Sequence, residues 1–316
     1  MRPAPRAIPP VLGSRLAARA LPCLALGLAL ACAHADPVAH DPVRPDPAHP
    51  PAMQALAIES HGSALNAVLY LADGPGPHPT AIFLHGLPGN ERNLDLAQAV
   101  RRSGWNALFF HYRGAWGSGG DYAFAHVLED VASAVAWTRS PERDPALRID
   151  PERVALVGHS LGGFAALRVG AESEGVDCIA SLAGANLAGH GQRLRDGDEG
   201  YADTLAGRFQ TLVAPLRGTS GEALAAELGA SVGDFDVLRL APALARKPLL
   251  LVAGERDAVV PPAEAHDPLV TTLEAMAPIS LTALRLDADH AFSQKRVALA
   301  RALVAWLNGP CARALD

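Results

Sequence analysis

The chain has 316 residues, about half of them apolar, which is enough for the core of one large α/β domain. Its 27 basic and 33 acidic residues give a net charge of −6 with no basic run, which argues against nucleic acid or an anionic membrane as partner. Nearly all positive charge is arginine, since only Lys247 and Lys295 are lysines, a matter of composition rather than mechanism.

Residues 1–35 read as a signal peptide. Arg2, Arg6, Arg15 and Arg19 precede the apolar run from Leu21 to Ala31, and Ala33-His34-Ala35 forms an A-x-A site before Asp36. The apolar run is too short to span a bilayer, which takes roughly 20 residues, and no later stretch is long enough. The expected product is an exported protein, periplasmic or secreted, without a transmembrane helix after signal removal. Leu30-Ala31-Cys32 is a weaker, competing signal: a lipoprotein box anchored at Cys32, with its leucine one position too close. Of four cysteines, Cys178 and Cys311 lie beyond this leader. Export permits a disulfide between them, but two separate thiols fit the sequence at least as well, and no cysteine spacing suggests a metal site.

Residues 36–52 are proline-rich and read as an extended, disordered linker, with His40 and His49 as solvated residues rather than metal ligands. Residues 53–316 read as one domain. Two strand-like runs, Ala55–Ser60 and Ala64–Leu71, flank His61-Gly62 and suggest an antiparallel pair. Buried strands follow at Ala81–Leu84, Trp105–Phe110, Val154–Val157, Cys178–Ala183 and Pro248–Ala253, with a last strand over Ile279–Leu286. Helical spacing appears over Glu91–Ser103, Tyr122–Arg139, the segment after Gly162, and Lys295–Leu307. Continuously apolar strands alternating with helices predict an α/β fold: a doubly wound, mostly parallel central sheet covered on both faces. The alternation lapses over about residues 186–247, where helical patches at Thr204–Val213 and Glu222–Leu228 suggest a helical cap insert over the site.

The chemistry centres on Gly158-His159-Ser160-Leu161-Gly162, a G-x-S-x-G elbow between a strand and a helix. The turn would lift the Ser160 hydroxyl clear of the sheet and present the Leu161 amide at a helix N-terminus. Such a serine needs a base and an orienting acid. The full order (strand, His85-Gly86-Leu87-Pro88-Gly89, strand, elbow serine, late acid, late histidine) resembles the α/β-hydrolase superfamily over about residues 53–309. It is closest in character to dienelactone-hydrolase and prolyl-oligopeptidase-like catalytic domains.

The resemblance implies Ser160 as nucleophile, Asp257 after the Pro248–Ala253 strand as orienter, and His290 before the last helix as base. Glu255, Asp289, Asp234 and Asp236 are rival acids. It implies oxyanion donors at the Leu161 and Leu87 amides. His85, His159, Tyr112 and Trp116 are candidates for the substrate pocket, with a structural role as the alternative for each. No cofactor and no metal are implied. The implied activity is that of an exported serine hydrolase acting on a carboxylic ester. Alternatives are a prolyl-oligopeptidase-like serine peptidase, disfavoured by the absence of room for a propeller and by Leu87-Pro88 in the oxyanion loop, and a non-catalytic binding protein of the same fold. Aspartate would be expected at position 160 in a haloalkane dehalogenase. The expected partner is a small-molecule ester or peptide; the oligomeric state is not legible.

Overall fold

A computed structural model describes Met1 and residues 36–42 and 44–313. The expected signal peptide and the lipidation reading at Cys32 lie outside the described residues. The chain opens its sheet with a hairpin of β1 (Ala52–Ser60) and β2 (Ser63–Leu71). His61 and Gly62 both have positive φ, 48° and 76°, as a two-residue type I′ turn requires. There follow β3 (His78–Leu84), α1 (Leu94–Arg102), β4 (Asn106–Phe110), α2 (Phe124–Arg139), β5 (Ile149–His159), α3 (Leu161–Glu172) and β6 (Cys178–Leu182). Four helices come next: α4 (Ala188–Arg195), α5 (Tyr201–Gln210), α6 (Gly221–Ala230) and α7 (Ala241–Leu244). The chain then returns with β7 (Leu249–Gly254), α8 (His266–Glu274), β8 (Leu281–Leu286) and α9 (Arg296–Trp306).

The eight strands form one sheet in the order β1-β2-β4-β3-β5-β6-β7-β8. β1, β2 and β4 meet antiparallel, and every other pair is parallel. Side chains alternate across a strand, so the apolar run of β3 serves two cores. Ile82 and Leu84 pack toward α2 and α3, while Ala81 and Phe83 pack toward α1 and α9. β5 divides in the same way, with Val154 and Leu156 on the first face and Ala155 and Val157 on the second. The sheet is doubly wound and mostly parallel, as the alternation of the sequence implies.

The helices between β6 and β7 pack on one another and are pinned to the sheet's own loops. Glu227 on α6 accepts the backbone N–H groups of Phe124 and Ala125, at 2.9 and 2.7 Å, capping the start of α2. The segment around Leu216 pairs with Ala115, and Trp116 and Tyr122 donate backbone N–H groups to Pro215 and Arg217.

One expectation is corrected, and one open question is answered. The described part of the 36–52 segment is docked rather than disordered. Asp36 pairs with Arg301 on α9 at 2.9 Å, the Pro37 carbonyl accepts from Arg102, Asp46 N–H reaches Asp73, and Arg148 holds the Pro50 carbonyl. Proline bars this arm from the sheet, yet its carbonyls find arginine donors instead. The pairing of Cys178 and Cys311, which the sequence leaves open, is a disulfide with Cα atoms 5.7 Å apart.

Candidate active site

β5 ends at His159 and α3 begins at Leu161, leaving Ser160 alone in the turn with φ 57° and ψ −119°. That conformation is strained for a non-glycine residue. The surroundings enforce it: Ser160 N–H donates to Leu182 O at 3.0 Å, and Ser160 O accepts from Phe164 and Ala185. The two flanking glycines are required by space. A Cβ at Gly158 would lie 1.9 Å from the Gly162 carbonyl, and one at Gly162 would lie 2.1 Å from the Leu84 carbonyl. The loop after β3 crosses beside the serine, since a Cβ at Gly86 would sit 3.0 Å from Ser160 Cβ.

Asp257 and His290 come from the loops after β7 and β8, at the same carboxyl edge of the sheet. His290 Nδ1 and Asp257 Oδ2 are 2.6 Å apart. The other Asp257 oxygen accepts from the amides of Val259 and Val260, both at 2.8 Å. Burial of Asp257 works against ionisation, but the His290 hydrogen bond and these two amides outweigh it and hold the carboxyl below its usual range. An ionised Asp257 can only accept, so Nδ1 of His290 donates to it.

None of the rival acids reaches this ring. Asp289 accepts from the Ser293 amide, Asp236 accepts from the Leu238 amide, Asp234 contributes its carbonyl to Arg168, and Glu255 is exposed.

His159 and His290 are linked directly. His159 Nε2 donates to the His290 carbonyl at 2.8 Å, and the two rings lie 4.8 Å apart. Burial drops the His159 pKa to about 4, reinforced by the neighbouring His290, so the ring is neutral and Nε2–H is its donor.

Leu87, Leu161 and Ser160 line one cavity of about 140 Å3. Phe124 and the cap residues Leu205 and Phe209 close it, with Val260 beside Asp257. His190 and Arg208 are its other polar wall residues.

The four expected pocket residues are elsewhere. His85, His159 and Tyr112 are buried, and none of the four lines this cavity. Instead they brace the loops around it. His85 Nδ1 donates to Gly86 O at 2.7 Å, Tyr112 Oη donates to His85 O at 2.9 Å, and Trp116 Nε1 donates to Pro88 O at 2.7 Å. With its Nδ1 protonated, His85 accepts at Nε2 from His111 Nδ1, 3.4 Å away. Burial takes the pKa of His85 down to about 3 and of His111 to about 4, so both rings are neutral braces. Behind them Asp130, fully buried, accepts from Arg113 N–H at 2.7 Å, Arg113 Nε at 2.6 Å and Ser60 Oγ at 2.7 Å.

Sequence reasoning placed a helical patch at Thr204–Val213 over the site but did not single out the residues of it that line the cavity, Leu205, Arg208, Phe209 and Leu212. No cluster of residues able to hold a metal occurs among the described residues.

A family model described as the alpha/beta hydrolase family matches residues 81–302. An uncharacterized 31.7 kDa protein from the traX-finO intergenic region of Escherichia coli is 34% identical over 128 residues, covering 39% of this chain and 42% of that protein. The chain thus matches about two fifths of the length of its curated relatives. An esterase of Pyrococcus furiosus has 20% identity and a TM-score of 0.59, covering 81% of this chain and 91% of that one. Est1E from Butyrivibrio proteoclasticus, with ferulic acid bound, has 18% identity and a TM-score of 0.60, covering 82% and 100%. An acylaminoacyl peptidase of Pyrococcus horikoshii has 14% identity and a TM-score of 0.58, covering 82% and 41%. At these identities the likeness to solved structures is one of fold.

Proposed function

The chain belongs to the alpha/beta hydrolase family, and from that premise we propose that it is a serine hydrolase cleaving a carboxylic ester through an acyl-enzyme on Ser160. The observation that carries this reading is the 2.6 Å hydrogen bond between His290 and Asp257, on loops beside the strained elbow of Ser160. Asp257 holds the imidazole in the tautomer whose Nε2 can accept a proton.

In the reaction, Ser160 Oγ attacks the ester carbonyl and its proton passes to His290 Nε2. The oxyanion is held by the amides of Leu161 and Leu87. Leu161 opens α3, where the first amides have no intrahelical partner and the helix dipole favours negative charge. Each such donor supplies a factor of roughly 10²–10³ in kcat. His290 returns the proton to the leaving alcohol. Water, deprotonated by His290, then attacks the acyl-enzyme and releases the carboxylic acid.

An ester suits the cavity better than a peptide. The cavity is small, and no carboxylate lines it to receive a peptide amino terminus. We further propose that residues 1–35 direct export, and that residues 53–316 are one hydrolase domain capped by the insert at about 186–247. The docked arm after Asp36 and the disulfide are compatible with an exported product. Among the described residues no helix is long and apolar enough to cross a membrane.

A fluorophosphonate probe should label the wild type and not Ser160→Ala, and Asp257→Asn should lower kcat on p-nitrophenyl acyl esters by about 10⁴. Equal labelling of Ser160→Ala, or faster turnover of an aminoacyl anilide than of any acyl ester, would overturn the assignment.

A further inference from the structure

The cavity beside Ser160 is apolar over most of its wall and has one cationic lining residue, Arg208. Arg208 stands on α5 between Leu205 and Phe209, both of which line the cavity. It also lines a second, more polar cavity of about 420 Å3, which shares His190, Arg208 and Val259 with the first. The two spaces therefore adjoin at this arginine.

Two of the neighbouring groups are already engaged or neutral. Arg193 pairs with Asp198, Nε to Oδ2 2.8 Å, and lies 3.6 Å over the Tyr201 ring. His190 Nδ1 is 2.5 Å from Tyr201 Oη; burial, then Arg208, lowers its pKa, so it is a neutral ring. Glu264 is an exposed carboxylate that lines the second cavity and not the first. Among the described residues Arg208 makes no ion pair, and no acid lines the cavity it shares with Ser160. An arginine on an exposed helix face is ordinarily a solvated charge. Arg208 is itself exposed, but it also lines the apolar cavity at Ser160, and its planar donor fork suits an oxyanion. The chain as a whole is acidic, so any attraction for an anion is local to this residue.

We propose that Arg208 sets substrate class, by binding an anionic terminus, carboxylate or phosphate, at the far end of an ester whose carbonyl lies at Ser160. The proposal rests on the hydrolase reading above. The cavity's 140 Å3 is close to the roughly 150 Å3 that accepts a benzene ring, so the apolar body between ester and anion is on the order of six carbons.

The test uses the full chain and p-nitrophenyl esters of matched acyl length, ending in methyl, carboxylate or phosphate. An anionic ester should exceed the neutral one in kcat/KM by about tenfold. The ratio should fall to near one in Arg208→Gln and below one in Arg208→Glu, and it should shrink as salt is raised. The terminus with the larger ratio identifies the source of the anion. In parallel, titration calorimetry on Ser160→Ala compares the monomethyl ester of a dicarboxylic acid with the methyl ester of the matching monocarboxylic acid. The half-ester should bind about tenfold more tightly, and lose that advantage when Arg208→Gln is added. A ratio near one in the wild type, or one that survives Arg208→Gln, overturns the proposal. Arg208-dependent binding without any hydrolysis by the wild type would remove the hydrolase reading and leave the anion site standing. Absence of both turnover and binding would remove both.

Discussion

His159 reaches across from the nucleophile elbow and holds the backbone of His290, ring N–H to carbonyl, at 2.8 Å. The two residues are 131 positions apart, yet the neighbour of the proposed nucleophile fixes the loop of the proposed base. The geometry of one therefore depends on the other's ring. His159→Ala should lower kcat by about tenfold or more with a smaller change in KM, since small misplacements of a reacting group are costly. His159→Gln, whose amide N–H can serve the same carbonyl, should recover part of the loss. Steady-state kinetics on variants with unchanged circular dichroism check this; a KM effect alone would contradict it.

Trp116 should matter through its N–H rather than its bulk. It ties the Pro88 carbonyl next to Leu87, whose amide is the proposed oxyanion donor. Trp116→Phe keeps most of the ring and loses the tie. We expect kcat to drop several-fold, by analogy with the roughly 0.5–1.5 kcal/mol that a single such hydrogen bond contributes. Equal kcat for Trp116→Phe and wild type would show that the loop is held without it.

Stability should fall in mild acid. His85, His111 and His159 have folded pKa values of about 3, 4 and 4, lowered by burial from an ordinary 6.5. Between those values the unfolded chain binds more protons than the folded one. Their contribution is therefore complete above pH 6.5 and is lost as pH falls through about 4. For His159 alone the difference is on the order of 3 kcal/mol. Thermal melts from pH 7 to pH 4 should show a steady fall in Tm, and His159→Gln should flatten it. A Tm independent of pH over that range would contradict the burial of these rings.

The pair of Arg113 and Asp130 is the most costly polar contact to break. Asp130 accepts from an amide, a guanidinium and Ser60, and Arg113 also reaches Glu129. Burial raises the Asp130 pKa, while the bonds from Arg113 and Ser60 pull it down. Asp130→Ala would strand three donors beneath the Trp116 loop and should cost about 3–5 kcal/mol. Urea midpoints at constant m-value measure it. A cost under about 1 kcal/mol would mean that water reaches these groups.

The central strands are legible in the sequence because both of their faces are covered. Ala81–Leu84 and Val154–Val157 are unbroken apolar runs for that reason. The edge is less clear: the expected Ile279–Leu286 strand starts at Leu281, because Ile279 N–H is first taken by Ala245 O. α4 and α8 left little trace, since each buries only two residues, Ala188 and Gly191 in one and Leu269 and Leu273 in the other. The elbow is legible because its glycines answer a steric need that no other residue meets. The pocket is not. Which way a loop side chain turns depends on tertiary partners, and His85, His159 and Tyr112 all turn inward to hold carbonyls. Part of the wall comes instead from α5, inside the expected cap, where no single residue stands out in composition.

That helix has a consequence of its own. α5 spans only Tyr201–Gln210 and supplies Leu205, Arg208 and Phe209 to the cavity wall, while Ser160, Asp257 and His290 sit on loops of the sheet. On the proposed reading, recognition and reaction are thus written on separate parts of the chain. One ten-residue segment can drift, or be redesigned, to admit new molecules while the machinery beneath it stays as it is.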